Sequence, residues 1–205
     1  MPGTRAPEAA RREQMLVAAY QVAAREGLEG TTIMQVAEAA NLSAGLVIFH
    51  FKSKRQLLLA LLDRLLATTT VLQVGEDIAG LRSPRDRLIA LLRQEMHRLA
   101  SEPLRIRVMF DFWSLGIRDE PCRDKLRAEF DRYREAFHPL AVAVLQEEPE
   151  RFMGVTASGL AAVAVSFIKG CAVQSMIDPD FDITEYLAAA EGLLAQLGEP
   201  VAGAR

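Results

Sequence analysis

The chain has 205 residues and a formal net charge of −3; half of its residues are hydrophobic and a quarter are charged, the balance of an ordinary globular protein. Acidic residues outnumber basic ones by 27 to 24, which excludes a protein that is basic throughout, and no run of about 18 uncharged apolar residues is present, so no membrane partner is expected. The opening residues "MPGTRAPEAARRE" lack the apolar centre of a secretion signal. Cys122 and Cys171 stand far apart without a CxxC pair, so the expectation is a cytoplasmic protein with two buried, reduced thiols, no metal and no cofactor.

Charge is unevenly spread. Residues 1–60 hold seven basic and five acidic side chains, +2; the remaining 17 basic and 22 acidic give −5, the sign expected of an N-terminal anion-binding module. Nearly every segment carries helical periodicity and none alternates like a strand, so the fold class expected is all-α, with nine helices. Residues 1–7 read as a disordered leader. The first helix runs from Glu8 to Glu26, with Met15, Ala18, Ala19, Val22 and Ala23 on one face and Gly27 as a left-handed C-terminal cap. Thr32 and Gln35 form a capping box for a second helix whose inner face is Ile33, Val36, Ala37 and Ala40. Asn41, Leu42 and Ser43 make a tight turn, and Ser43 caps a third helix from Ala44 to His50. Ser53 and Gln56 read as another capping box, opening a fourth helix over residues 54–72.

Ser83-Pro84-Arg85-Asp86 starts a helix bearing Leu88, Leu91, Leu92, Met96 and Leu99. The next, Leu104 to Leu115, carries Met109, Phe110, Phe112 and Trp113. Asp119 to Gln146 is a long amphipathic stretch that Pro139 is expected to kink or split. Glu150 to Met176 is apolar and rich in small residues. Asp182 to Glu185 starts a final helix that Gly198 and Pro200 end.

Helices two and three with their short turn make a helix-turn-helix, a unit whose second helix enters the DNA major groove by its N-terminal half. Ala37 and Ala40 are small enough for close helix crossing. The helix N-termini behind Thr32, Ser43 and Ser53 offer unpaired N–H groups and positive dipole ends to phosphates. Lys54, in the first turn of its helix, opposes that helix's dipole, a conflict a phosphate would remove. The third helix is unusual in placing Leu46, Val47, Ile48 and Phe49 in a row. Val47 and Phe51 are expected to face inward. A helix this short cannot bury Leu46, Ile48 and Phe49 together, so at least one of them is expected to face the groove and read thymine methyl groups, with Ala44 and Gly45 letting the backbone come close; the alternative keeps Leu46 and Phe49 as packing residues.

Over residues 12–62 the chain resembles the DNA-binding domain of the tetracycline-repressor (TetR) family of bacterial transcription regulators, whose pattern is similar to "T…IA..AGVS.G..Y.YF.SK..L". It appears here as Thr32, Val36-Ala37, Ala40-Asn41-Leu42-Ser43, Gly45, His50-Phe51, Lys52-Ser53-Lys54 and Leu57. Asn41 stands where the family usually has Gly, and Ile48 and His50 replace its two aromatics. The resemblance implies an all-helical homodimer with a DNA-reading head, residues 1–55, and an effector-binding and dimerisation body, residues 56–205. The DNA-contacting residues it implies, together with the helix-turn-helix reading, are Thr32, Ser43, Ala44, Gly45, Leu46, Phe49, His50 and Lys54. Family pockets lie among helices five to eight, which makes His97, Met109, Trp113, Phe137, Phe167 and Gln174 candidate lining residues for a small-molecule effector. The aromatics around Asp111 suit an amphipathic or cationic ligand, though rings at helical spacing are more often plain core.

The last two helices bear small and apolar faces: Ala157, Gly159, Ala161, Ala162 and Ala164, then Ala188, Ala189, Ala190, Leu193, Leu194 and Leu197. Such faces permit close, self-complementary packing, and the expectation is a homodimer through them. A two-fold dimer must set its reading helices about 34–36 Å apart to enter successive major grooves of a palindromic operator. The expected function is therefore a ligand-responsive regulator, a repressor released by its effector through the helix from Leu57 to Leu72. Two rivals remain. An enzyme has no support from His50, His97 and His138, which lack metal-ligand spacing, or from any catalytic motif. A helical protein-interaction module would use the third helix as an apolar ridge and bind no DNA.

Overall fold

The computed structural model describes residues 7–68 and 75–196, with side chains to residue 193. Among them every regular element is a helix, and there are ten: α1 (Glu8–Gly30), α2 (Ile33–Ala39), α3 (Ala44–Phe51), α4 (Lys54–Ala67), α5 (Glu76–Ala79), α6 (Pro84–Ala100), α7 (Pro103–Gly116), α8 (Glu120–Glu147), α9 (Ala157–Ile177) and α10 (Ile183–Gln196). The all-α expectation holds; the count of nine missed α5, a single turn too short to show periodicity. The expected disordered leader, apart from Pro7, and the terminator Gly198-Pro200 lie outside the described residues.

Local chemistry accounts for most boundaries. Thr32 Oγ1 accepts the Gln35 N–H at 3.2 Å while Gln35 Oε1 accepts the Thr32 N–H at 2.9 Å, a complete capping box. Ser43 Oγ takes the Leu46 N–H and Ser53 Oγ the Gln56 N–H, each at 3.2 Å. The second box expected at Ser53 is only half formed, because the Ser53 N–H turns back to the Phe51 carbonyl at 2.7 Å. Gly27 breaks α1 as expected, yet at φ 73° and ψ 170° it makes a kink after which one more turn continues to Gly30; that region of backbone space is open essentially to glycine alone. α4 is shorter than expected and ends at Ala67, where the Thr68 hydroxyl donates to the carbonyls of Arg64 and Leu65. α8 runs through Pro139 unsplit, at the cost of the single helical bond to the Glu135 carbonyl.

The described residues pack as two compact units: those within 1–69 with 107–127, and those within 70–106 with 128–205. The packing therefore does not divide at residue 55. In the first unit α1 supplies Met15, Ala19 and Val22, α2 supplies Val36, α3 supplies Val47 and Phe51, and α4 supplies Leu57, Leu61, Leu62 and Leu65. Val108, Met109, Phe112, Cys122 and Leu126 join the same core. Polar clasps lie around it. Asp111 Oδ2 accepts the Leu28 N–H just beyond the kink at 3.1 Å, and Arg107 donates to the Ala24 carbonyl. Lys125 pairs with Asp63. Asp119 caps α8 through the Cys122 N–H at 3.0 Å and receives Arg55 from α4 at 2.9 Å. Asp111 is thus a structural acceptor for α1.

The second unit packs α6 against α9, with α8 and α10 alongside. Its core joins Leu88, Leu91, Met96 and Leu99 to Tyr133, Phe137 and Val144 and to Leu160, Ala164, Val165 and Ile168. Among the described helices α9 is the one long and apolar enough to cross a membrane, although no uncharged run of about 18 residues lies within it. The single charge it carries, Lys169, is paired inside the unit. Both cysteines are free and buried as expected, and burial pushes the Cys122 thiol up to about 11.

The Asp119 carboxyl is held below its ordinary range first by the Cys122 N–H and, against some desolvation, by Arg55. Loss of such an N-cap costs about 1 kcal/mol. Asp119→Ala is expected to lower stability by about that amount at neutral pH, read from urea midpoints. A depressed carboxyl stabilises fully above its unfolded value of about 4 and loses that contribution as pH falls through the folded one. The deficit of the variant should therefore shrink in acid.

Candidate functional site

The chain bends by 113° between α2 and α3, within the range of DNA-reading helix-turn-helix units. The bend is made by Ala40 to Ser43, with Asn41 at φ 52°, a left-handed position that asparagine tolerates better than most residues. Leu42 packs into the first unit's core. Small Ala37, 3% exposed, sits in the crossing.

On α3, Val47 and Phe51 are buried as expected and Leu46 is half-buried against the core. Phe49 stands about 200° round the helix from Val47, given 100° per residue, and is 63% exposed; Ile48 is 49% exposed. Of the three residues set between groove and core, Leu46 packs while Phe49 and Ile48 project. Ile48, weighed for the groove but left out of the DNA-contacting residues, thus projects, as does Met34 on α2, 76% exposed. Their signal was available in the sequence: both lie off the stripes that Val36 and Val47 define. Gly45 shares the outward stripe with Phe49. A Cβ added there would meet nothing nearer than the Ser43 hydroxyl at 4.0 Å, so no packing inside the chain requires glycine.

Thr32 and Ser43 are exposed at their helix N-termini, Ala44 is half-buried, and His50 is half-buried between the rings of Phe49 and Phe51. Lys54 departs from expectation. Its ammonium does not wait unpartnered beside its own N-terminus but donates to the Glu29 carbonyl at 2.6 Å, at the end of α1 where the helix dipole is negative. Lys52, at φ 62°, caps α3 by donating to the Phe49 carbonyl at 2.6 Å, with its ammonium 4.9 Å from the Phe49 ring. Two cavities of about 490 and 330 Å³ share Lys54, Leu58 and Leu115; the larger is also lined by Gly27, Asp111 and Arg118. Both belong to the first unit.

The six candidate lining residues are not one group. Met109 and Trp113 belong to the first unit's core, Phe137 is fully buried in the second, Phe167 is half-buried against it, and His97 and Gln174 are exposed. None lines those two cavities. Of the α7 rings, Phe112 is buried in the core, Trp113 packs against it and Phe110 is 41% exposed; the residues that the sequence reading missed are charges on apolar stripes. Glu95 lies among Leu91, Leu92, Met96 and Leu99, Glu129 between Leu126 and Tyr133, and Lys169 beside Ile168; Glu95 and Glu129 are buried. A charge in such a position is rarely buried without a partner, and that is the cue that finds them.

Of the faces expected to dimerise, Ala161, Ala164 and Ala190 are buried inside the second unit and are not free for a partner. Gly159, Ala188 and Ala189 are exposed, as are Leu193 and the neighbouring Val163. The side chain of Leu194, and Leu197 entirely, lie outside the described residues, as does Leu72 of the linking helix.

Comparison with known proteins agrees with this geometry. Residues 15–61 match the family model for "Bacterial regulatory proteins, tetR family", and residues 84–199 match that for "BetI-type transcriptional repressor, C-terminal". The chain is 30% identical over 154 residues to the HTH-type transcriptional regulator BetI of Paraburkholderia phymatum, covering 75% of this chain and 76% of that protein. A transcriptional regulator from Saccharomonospora viridis, solved in complex with choline, shares the fold with a TM-score of 0.74 at 19% identity, over 92% of this chain and 97% of that one. The regulator FadR from Bacillus subtilis, solved with stearoyl-CoA, does so with a TM-score of 0.68 at 18% identity, over 89% and 96%. These relatives are transcriptional regulators, which sets aside both the enzyme and the bare protein-interaction module. A head built on a 113° helix-turn-helix and two family models that between them span most of the chain lead to one conclusion: the protein belongs to the TetR family of transcriptional regulators.

Proposed function

We propose that the protein is a ligand-responsive repressor that binds a palindromic operator as a homodimer and is released when a small molecule occupies its body, residues 56–205. The observation that carries the DNA-reading part is Gly45. Glycine within a helix costs about 0.5–1 kcal/mol relative to alanine, and here neither backbone strain nor internal packing calls for it. A surface that approaches from outside does. Beside it Phe49, Ile48 and Met34 present apolar side chains suited to thymine methyls, while the N-termini behind Thr32 and Ser43 and the imidazole of His50 suit phosphates. The Lys54 ammonium gives one of its three N–H donors to the Glu29 carbonyl, which leaves the others for a phosphate.

Dimerisation is supported by the exposed Gly159 and Val163 on α9 and Ala188, Ala189 and Leu193 on α10. An effector is supported by the choline and stearoyl-CoA held by neighbours of the same fold. The coupling route proposed is α7: its residues from Arg107 onward clasp α1 through Arg107 and Asp111, while its first turn, up to Ile106, belongs to the second unit. A ligand shifts DNA affinity only by its differential affinity for two such states.

Selection of bound duplexes from a random pool tests the whole reading, since it returns half-site sequence and spacing; recovery of no inverted repeat would reject it. Gly45→Ala is expected to raise the melting temperature, yet to weaken binding to the selected operator by about tenfold, roughly 1.4 kcal/mol. Val163→Asp with Leu193→Asp is expected to give a folded monomer in sedimentation with operator binding lost. Asp111→Ala is expected to leave effector binding intact in calorimetry while blunting release of DNA.

A further inference from the structure

Among the described residues two that are not glycine take a positive φ, Asn41 at 52° and Lys52 at 62°. They stand on either side of α3. Asparagine suits its place; lysine does not suit the other. With ψ at −36° Lys52 lies outside the left-handed helical region, and the Ser53 N–H donates across it to the Phe51 carbonyl at 2.7 Å. A three-residue turn closed over a positive φ is rare and strained, and glycine would make it more easily. Strain of this kind persists where surrounding groups over-determine it, and it gathers at functional sites.

The lysine side chain supplies a reason. Its Nζ donates to the Phe49 carbonyl at 2.6 Å and lies 4.9 Å from the centroid of the Phe49 ring, an ammonium held over an aromatic face. The same ring meets the His50 imidazole edge to face, with centroids 5.4 Å apart and planes at 88°. His50 lies 6.4 Å from the ring of buried Phe51, which carries the Arg12 guanidinium at 4.9 Å. Phe49 is 63% exposed, yet it is no loose side chain. One neighbour reaches back to it across the strained turn, and the other is backed by a core residue. A side chain ordered in advance loses less rotamer freedom when a partner covers it.

We propose that Lys52 is a positioning residue for operator reading: clasped to the carbonyl and the ring of Phe49, its ammonium fixes the aromatic side chain that α3 holds out to the groove. Lys52 then acts on sequence preference through Phe49, without a phosphate contact of its own. The strained turn is what brings the lysine stem back over the end of α3. The inference rests on the DNA-reading proposal above and adds to it how the projecting ring is held.

The test starts from the operator recovered by duplex selection. It reads discrimination, the ratio of affinity for that operator to affinity for the same duplex with scrambled half-sites, at one fixed salt concentration. Lys52→Gly keeps the turn and removes the clasp, and is expected to lower discrimination about fivefold. In a Phe49→Ala chain the further change Lys52→Gly is expected to alter discrimination by less than about twofold, because the ring through which the lysine acts is gone. A lysine that merely met a phosphate would weaken both duplexes alike and lower the salt slope by about 0.9. Unchanged discrimination in Lys52→Gly therefore overturns the inference, as does a loss of about fivefold that persists beside Phe49→Ala. Recovery of no inverted repeat by the unaltered chain would reject the DNA-reading proposal and this one together, whereas those two outcomes reject this one alone.

Discussion

An isolated helix of eight residues does not hold itself together in water, and α3 exists because Val47 and Phe51 are buried in a core to which its neighbours α2 and α4 contribute. That single apolar stripe fixes the roll of the helix, and the roll decides everything its other face can do. With Val47 inward, Gly45 and Phe49 must point out and Ile48 must stand at the flank. Burying a different pair would turn the reading face into the core. The run of four apolar residues is therefore two populations: one stripe that makes the helix, and side chains that the helix holds out to a partner.

The same economy governs the attachment of the head. α1 does not simply stop at Gly27; it kinks there, and the freed Leu28 N–H is taken by Asp111 from a helix more than eighty residues later in sequence. Arg107 and Arg55 add clasps from α7 to α1 and from α4 to the start of α8. Lys54 satisfies the negative end of α1 where its own helix's N-terminus would repel it. Local dipole conflicts are thus settled by partners distant in sequence, which is why the compact unit around the head includes residues 107–127 as well as the N-terminal segment.

The second unit carries its charge inside. Replacing buried ion pairs by apolar residues is often neutral or stabilising, whereas removing one partner is costly. The Glu95–Arg98–Tyr133 and Glu129–Lys169 pairs therefore add little to stability as pairs, yet each locks the other members in place. Lys169 among them is the single charge on an otherwise apolar α9.

The sequence by itself determined the helical fold, the caps at Thr32, Ser43 and Ser53, the buried stripes of α1, α2 and α6, and the family, because each rests on periodicity or on contacts between residues three or four apart. It did not determine which of Leu46 and Phe49 packs, since both flank the buried stripe and only the neighbouring helices decide how far the core extends. Nor did it separate Met109 and Trp113 from Phe137, or place Asp111 on α1, Lys54 on Glu29 and Lys169 on Glu129. Those pairings join residues 25 to 83 positions apart. Only the packed chain brings such groups within hydrogen-bond reach, so tertiary structure alone could choose their partners.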